Sequence, residues 1–208
     1  RSKFMKLYYS KGSCSFGPHL AMRELNIEPE LVPVNLREKT LPDGSDFKAK
    51  NPKGYVPYIE TEEGIGISEC GVILQYLADH NPDKGLIPDA GTNERYQLQD
   101  WLSFIGSELH KNLPPLFLPN IPDEYRPVAR QRLDVRLQFV DDALDGKEYL
   151  LGDEYTVADC YATAILNWTK PAKYDLSPLP NVYSYYDRCC ARDSYRTAQT
   201  AEEANWPS

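Results

Sequence analysis

Cys14 stands in Gly12-Ser13-Cys14-Ser15, after the short apolar run Met5-Lys6-Leu7-Tyr8-Tyr9 and ahead of a helical stretch that opens near Pro18. Strand, glycine turn, cysteine and helix in that order place a thiol at the positive end of a helix. Unpaired N–H groups and the helix dipole there favour the thiolate, the reactive form. The competing reading is a small apolar residue tucked under a turn. Two further clusters carry chemistry. In Gly54-Tyr55-Val56-Pro57-Tyr58 a proline enters a strand, and a cis Val56–Pro57 bond would turn the Val56 N–H and C=O outward toward an extended peptide. An ordinary edge-strand proline is the alternative. Ser68-Glu69-Cys70-Gly71 opens an amphipathic helix whose free N–H groups suit a carboxylate, while Glu69 is placed to accept an ammonium. A first-turn glutamate without a ligand is the alternative there.

The elements that must hold these groups fall into two halves. Lys6 to Tyr9 reads as a strand and Pro18 to Asn26 as a helix. Glu30 to Leu36 reads as a strand near a sheet edge, because of Pro33. A short helical turn over Asp46 to Lys50 precedes two strands, Tyr55 to Thr61 and Ile65 to Ile67, joined as a hairpin by Glu62-Glu63-Gly64. Ser68 to His80 carries Val72, Ile73, Tyr76 and Leu77 on one helical face. Breakers between residues 81 and 91 mark a linker. Beyond it only helical periods remain: Glu94 to His110, Pro122 to Leu144, Thr156 to Trp168 and Asn181 to Ala191. The architecture is therefore an α/β unit over 5–81 followed by an all-α bundle over 92–200. Thr156 and Asp159 are spaced as a capping box, and Ala201 to Ser208 reads as a surface tail with little to bury. Arg1 to Phe4 are set aside from the fold argument.

Composition narrows the function. A chain of 208 residues with 41% hydrophobic and 26% charged residues is an ordinary soluble globular protein. No run approaches the ~18 apolar residues of a membrane span, and no leader pattern is present. A net charge of −8 argues against nucleic-acid or anionic-membrane partners. Five cysteines cannot all pair internally, and Cys14, Cys70, Cys160, Cys189 and Cys190 show no zinc-like Cys-x-x-Cys spacing. Free thiols in a reducing cytoplasm are expected. Neither a metal nor a nucleotide motif appears.

Taken jointly, the three clusters describe a site for an extended small peptide with a zwitterionic head and a central thiol, and glutathione fits. The chain resembles the glutathione S-transferases, most closely the bacterial beta class. The likeness runs from Met5 to about Arg192 and rests on an ordered set of matches. These are Lys6-Leu7-Tyr8-Tyr9, Gly12-Ser13-Cys14-Ser15, Asn51-Pro52-Lys53-Gly54-x-Val56-Pro57, Gln75-Tyr76-Leu77-Ala78-Asp79, Ser107-Glu108-x-His110-Lys111 and Thr156-Val157-Ala158-Asp159.

The resemblance implies a thioredoxin-like N-terminal domain, an all-α C-terminal domain and a homodimer. It implies that Cys14 lies at the glutathione sulfur and forms a mixed disulfide with it, and that His110 and Lys111 reach toward that sulfur from the second domain. Tyr55, Val56 and Pro57 would hold the cysteinyl part, Glu69 and Cys70 the γ-glutamyl head, and Lys39 the glycyl carboxylate. Tyr9 falls where other classes place an activating tyrosine, and Ser13 would help to stabilise the thiolate. Cys70 departs from the serine common in the family and offers a second redox thiol. Lys11, where proline is frequent, adds positive charge near Cys14.

The expected reaction is attack of the glutathione thiolate on an apolar electrophile. Its pocket would lie between the domains, walled by Phe16, Leu113, Leu116, Phe117 and Trp168, and the role would be detoxification. The alternatives are a thiol transferase or reductive dehalogenase using Cys14, and a non-catalytic binder of hydrophobic ligands. Gly17 stands where a Cys-x-x-Cys pair would need its second cysteine, which leaves a monothiol route. His19 and His80 are expected on a helix surface and at a helix end.

Overall fold

Alternation along β1 (Lys6–Tyr9) divides the strand between two faces. Leu7 and Tyr9 join the main hydrophobic core, while Tyr8 packs with Val34, Phe47 and Val56 on the other side. The computed structural model describes residues 5–207; Arg1–Phe4 and Ser208 lie outside it. β1 pairs in parallel with β2 (Glu30–Pro33) and antiparallel with β3 (Tyr58–Glu60), which pairs with β4 (Gly66–Ser68). The strand order is β2-β1-β3-β4. β2 is thus an edge strand, where Pro33 removes no interior ladder bond. β2 and β3 are shorter than the runs Glu30 to Leu36 and Tyr55 to Thr61 that contain them, and β3 begins only after the cis Val56–Pro57 bond.

Helix α1 (Phe16–Glu24) opens just after Cys14 and its N-cap Ser15, two residues earlier than the periodicity indicates, and α2 (Cys70–Asp79) follows Glu69. The second half comprises α3 (Asn93–Phe104), α4 (Arg126–Ala143), α5 (Val157–Leu166), α6 (Pro180–Cys190) and α7 (Asp193–Ala204). α5 is buried along its whole length and forms the centre of the bundle. Gly17 lets α1 lie close against it: a Cβ there would meet the Cys160 carbonyl at 3.3 Å. Ion pairs reinforce the contact between halves. Arg192 grips Glu24 through two bonds of 2.6 and 2.8 Å, and Arg95 grips Asp79.

The capping box at Thr156 is present and does more than start α5. Asp159 accepts from the N–H groups of Thr156 and Leu150, from the Thr156 hydroxyl and from the Tyr185 hydroxyl, at 2.8–3.0 Å.

The C-terminal segment corrects two sequence expectations. It is not a surface tail: α7 packs on α1, Glu202 is buried, and Trp206 meets the Tyr9 ring edge-on at 5.7 Å. His19 is likewise fully buried rather than on a helix surface. Its Nε2 accepts from Arg23 Nε at 3.2 Å, so its Nδ1 carries the hydrogen and donates to Glu202 Oε1 at 3.0 Å. Burial, helped by the Arg23 charge, holds His19 down at about 3, and burial lifts Glu202 to about 8. Both partners are therefore neutral near pH 7. As pH rises from about 4.5 to about 8, the unfolded chain gives up the Glu202 proton and the folded chain keeps it. Below about pH 6.5 the unfolded chain also takes up a proton at His19 that the folded chain refuses, which offsets the Glu202 loss, so the net fall in stability lies between about pH 6.5 and 8. Glu202→Gln removes the titration while its amide oxygen still accepts from His19. We expect it to flatten that decline by about 2 kcal/mol, read from urea midpoints at about pH 6.5 and 8. An unchanged decline contradicts the neutral pair.

Candidate active site

A cavity of about 980 Å³ opens between the sheet unit and the helical bundle. One side is formed by the turn before α1, the Tyr55–Pro57 segment and the start of α2. The other is formed by the end of α3 and by residues of α5 and beyond.

Cys14 lies at the base of the cavity, 8% exposed, with its thiol 3.5 Å from the Val56 carbonyl. Its pKa is lowered to about 5. The largest cause is a hydrogen bond from the Cys70 thiol; burial opposes it, and His110 adds both a hydrogen bond and charge. A backbone N–H hydrogen bond lowers it further and is the smallest of these causes. Lys11 is paired with Glu203 at 3.8 Å rather than committed to Cys14. Alkylation of Cys14 by iodoacetamide should therefore follow thiolate formation with a midpoint near pH 5. A midpoint close to that of free cysteine contradicts this arrangement.

Cys70, the first residue of α2, is buried, and its thiol also lies 3.5 Å from the Cys14 carbonyl. Burial and the neighbouring Cys14 hold its own pKa high, so the pair keeps one proton on Cys70 and the charge on Cys14. Tyr161 of α5 gives Cys70 a further hydrogen bond and shares one of 2.8 Å with His110 Nδ1. Tyr161 was missed in the sequence, where it reads as one more core residue of a largely apolar helix.

His110 reaches the site through a local widening of α3. Residues Ile105–Leu109 form π turns, with the His110 N–H bonded to the Ile105 carbonyl at 2.8 Å. Its ring stacks edge-on against Trp168 at 4.9 Å. Trp168 in turn donates through Nε1 to the Gly12 carbonyl at 2.8 Å, tying the bundle to the turn that carries Cys14.

Glu69 adopts a left-handed backbone (φ 77°), a conformation costly for a residue with a side chain. Its carboxylate accepts from Lys53 Nζ at 2.6 Å and the Tyr55 hydroxyl at 3.2 Å. The Lys53 bond holds it below the usual carboxylate range. An incoming ammonium must share or displace Lys53. Ser13 lines the cavity, but its hydroxyl is engaged with the Ser15 hydroxyl at 2.7 Å.

The structure thus brings together Ser13, Cys14, Tyr55, Val56, Pro57, Glu69, Cys70, His110, Lys111, Phe117 and Trp168. Five sequence candidates lie elsewhere. Tyr9 shares the core face of β1 with Leu7, and its hydroxyl donates to the Glu202 carbonyl at 3.2 Å. Burial pushes that hydroxyl up to about 12. Phe16 turns toward α7, edge-on to Tyr195 at 5.2 Å, beside a smaller cavity of about 110 Å³. Leu113 is fully buried in the bundle core, and Leu116 packs against that core. Lys39 lies outside the cavity wall, its stem running beside Gly54. His80 caps the end of α2, as expected. Among the described residues, no group of three or more His, Cys, Asp or Glu is arranged to hold a metal, and no helix is long and apolar enough to cross a membrane.

Comparison with known proteins places this geometry. Residues 12–80 match the model of the glutathione S-transferase N-terminal domain and residues 104–193 that of the C-terminal domain. The chain is 38% identical to glutathione S-transferase GstA of Escherichia coli O157:H7, over 95% of this chain and 98% of that protein. It superposes on a bacterial beta-class glutathione S-transferase of Sphingomonas chungbukensis with a TM-score of 0.90 at 40% identity, covering 95% and 98% of the two chains. A sphingomonad glutathione S-transferase complexed with glutathione gives 0.91 at 36% identity, with the same coverage. With both halves of the fold matched and the cavity lying between them, the chain belongs to the glutathione S-transferase family and is a glutathione transferase.

Proposed function

We propose that glutathione lies along the Val56 backbone with its γ-glutamyl head at Glu69 and the first N–H groups of α2, and its sulfur beside Cys14. The co-substrate is an apolar electrophile lodged against Phe117 and Trp168. The observation that carries this reading is the place of Cys14 at the base of the cavity, its sulfur 3.5 Å from the Val56 carbonyl, with a pKa lowered to about 5. Two sulfur anions about 4 Å apart repel by roughly 4 kcal/mol in a partly solvated site. The site therefore favours one negative charge shared between the Cys14 and glutathione sulfurs.

This sharing gives two routes. When Cys14 takes the proton of bound glutathione, the glutathione thiolate attacks an electrophilic carbon and expels the leaving group. The Cys14 thiol then donates a hydrogen bond to the attacking sulfur. When the charge stays on Cys14 and the substrate is a glutathionyl disulfide, Cys14 attacks the glutathionyl sulfur and a mixed disulfide forms. His110 and Lys111 supply positive or donor character to the charged sulfur in either case. Detoxification, a cytoplasmic setting and assembly as a homodimer are part of the same proposal, and the family likeness is what supports them.

Paired assays test the reading: conjugation of chlorodinitrobenzene and glutathione-dependent reduction of hydroxyethyl disulfide. Activity in both is the expected result. Silence in both at saturating glutathione contradicts it and favours a binder of apolar ligands.

A further inference from the structure

Cys70, the first residue of α2, is buried against the reactive cysteine, its thiol 3.5 Å from the Cys14 carbonyl, and both thiols are free. The two begin neighbouring structures, the turn into α1 and the first residue of α2, so they meet although 56 residues separate them. Cys160, Cys189 and Cys190 belong to the helical bundle and do not line the cavity.

We propose that Cys70 is a resolving thiol, which makes the protein a dithiol reductant of glutathionyl mixed disulfides without a Cys-x-x-Cys motif. The proposal rests on the reading above that Cys14 meets the glutathione sulfur. In the first step the Cys14 thiolate attacks the glutathionyl sulfur of a disulfide R–S–S–G. The bond between the Cys14 sulfur and the glutathionyl sulfur forms, the S–S bond of the substrate breaks, and R–S⁻ leaves and takes a proton from water. In the second step the Cys70 sulfur attacks the Cys14 sulfur. The Cys14–Cys70 bond forms, the bond to glutathione breaks, and glutathione departs carrying the proton that Cys70 gives up. Two protein thiols are oxidised to one disulfide, and the substrate disulfide is reduced to two thiols. Two further glutathione molecules restore the dithiol and leave as glutathione disulfide.

The electrostatics suit this order. Before the reaction, the Cys14 charge and its hydrogen bond are among the leading causes that keep Cys70 protonated. Conversion of Cys14 to a neutral mixed disulfide removes both. The Tyr161 hydroxyl remains to stabilise the Cys70 thiolate as it forms.

The test treats the reduced, full-length protein with a slight excess of glutathione disulfide. The reaction is quenched with acid, remaining thiols are alkylated, and intact and peptide masses are measured. The expected product has lost two hydrogens, retains no glutathione, and links the Cys14 and Cys70 peptides. Cys70→Ser should instead accumulate the Cys14–glutathione adduct. A wild-type protein that holds glutathione on Cys14 with Cys70 still alkylated overturns the proposal and leaves the reading of Cys14 intact. A wild-type protein with neither modification overturns both.

Discussion

Replacing Cys14 with alanine is expected to lower glutathione-dependent reduction of hydroxyethyl disulfide by more than about 100-fold, the scale on which loss of a nucleophile is felt. Conjugation of chlorodinitrobenzene should stay within about tenfold of wild type, because the hydrogen-bond donor lost there contributes only about 1–2 kcal/mol to the attacking thiolate. The split follows from the shared charge. Disulfide exchange needs the Cys14 sulfur as an attacking atom, whereas conjugation needs it only as a proton acceptor and donor. Removal of the Cys14 anion also relieves the repulsion on the glutathione thiolate, which offsets part of the loss. Equal loss in both assays, with glutathione still bound, makes Cys14 essential to conjugation and contradicts the account.

The largest effect on stability is expected at Asp159, which does not line the cavity. Its two oxygens accept four hydrogen bonds inside the bundle, two from backbone N–H groups and two from hydroxyls. Burial raises its pKa, and the four donors oppose that shift. Asp159→Ala leaves those donors unpaired where water cannot reach them. Unpaired buried donors cost about 1–3 kcal/mol each, so a loss on the order of 4 kcal/mol is expected after relaxation. Asp159→Asn should recover only part of this, because its amide nitrogen faces donors and cannot accept from them. Urea unfolding measures both variants. A loss under about 1 kcal/mol for alanine means that the network does not hold the bundle.

Much of the sheet unit was legible because its signals are local. The run Lys6–Tyr9 is a strand over those same residues, and Pro33 marks an edge. Val56–Pro57 is cis, and the Thr156–Asp159 spacing produces the cap it promises. Helix α7 was not legible because the residues it buries are Ser194, Ala198 and Glu202, a stripe without apolar periodicity. Glu202 is held there by His19 from a distant part of the chain, which no local pattern announces.

The site divides in the same way. Cys14, Val56 and Glu69 sit at turns and helix starts whose geometry is written in neighbouring residues. The wall of the cavity depends on how helices rotate when they pack. Phe117 and Trp168 face inward, while Phe16, Leu113 and Leu116 face other surfaces. The π turns before His110 are invisible in the sequence because Leu98, Leu102, Ile105 and Leu109 continue an ordinary helical spacing. Tyr161 belongs with them, since its hydroxyl gains meaning only when α5 meets the end of α3 and the start of α2.

A crystal structure of the reduced protein with glutathione probes the arrangement at its centre. The predicted map shows the tripeptide sulfur within about 4 Å of Cys14 Sγ or bonded to it, with the α-amino group at Glu69. A glutathione whose sulfur points away from Cys14, with ordered water between them, contradicts it.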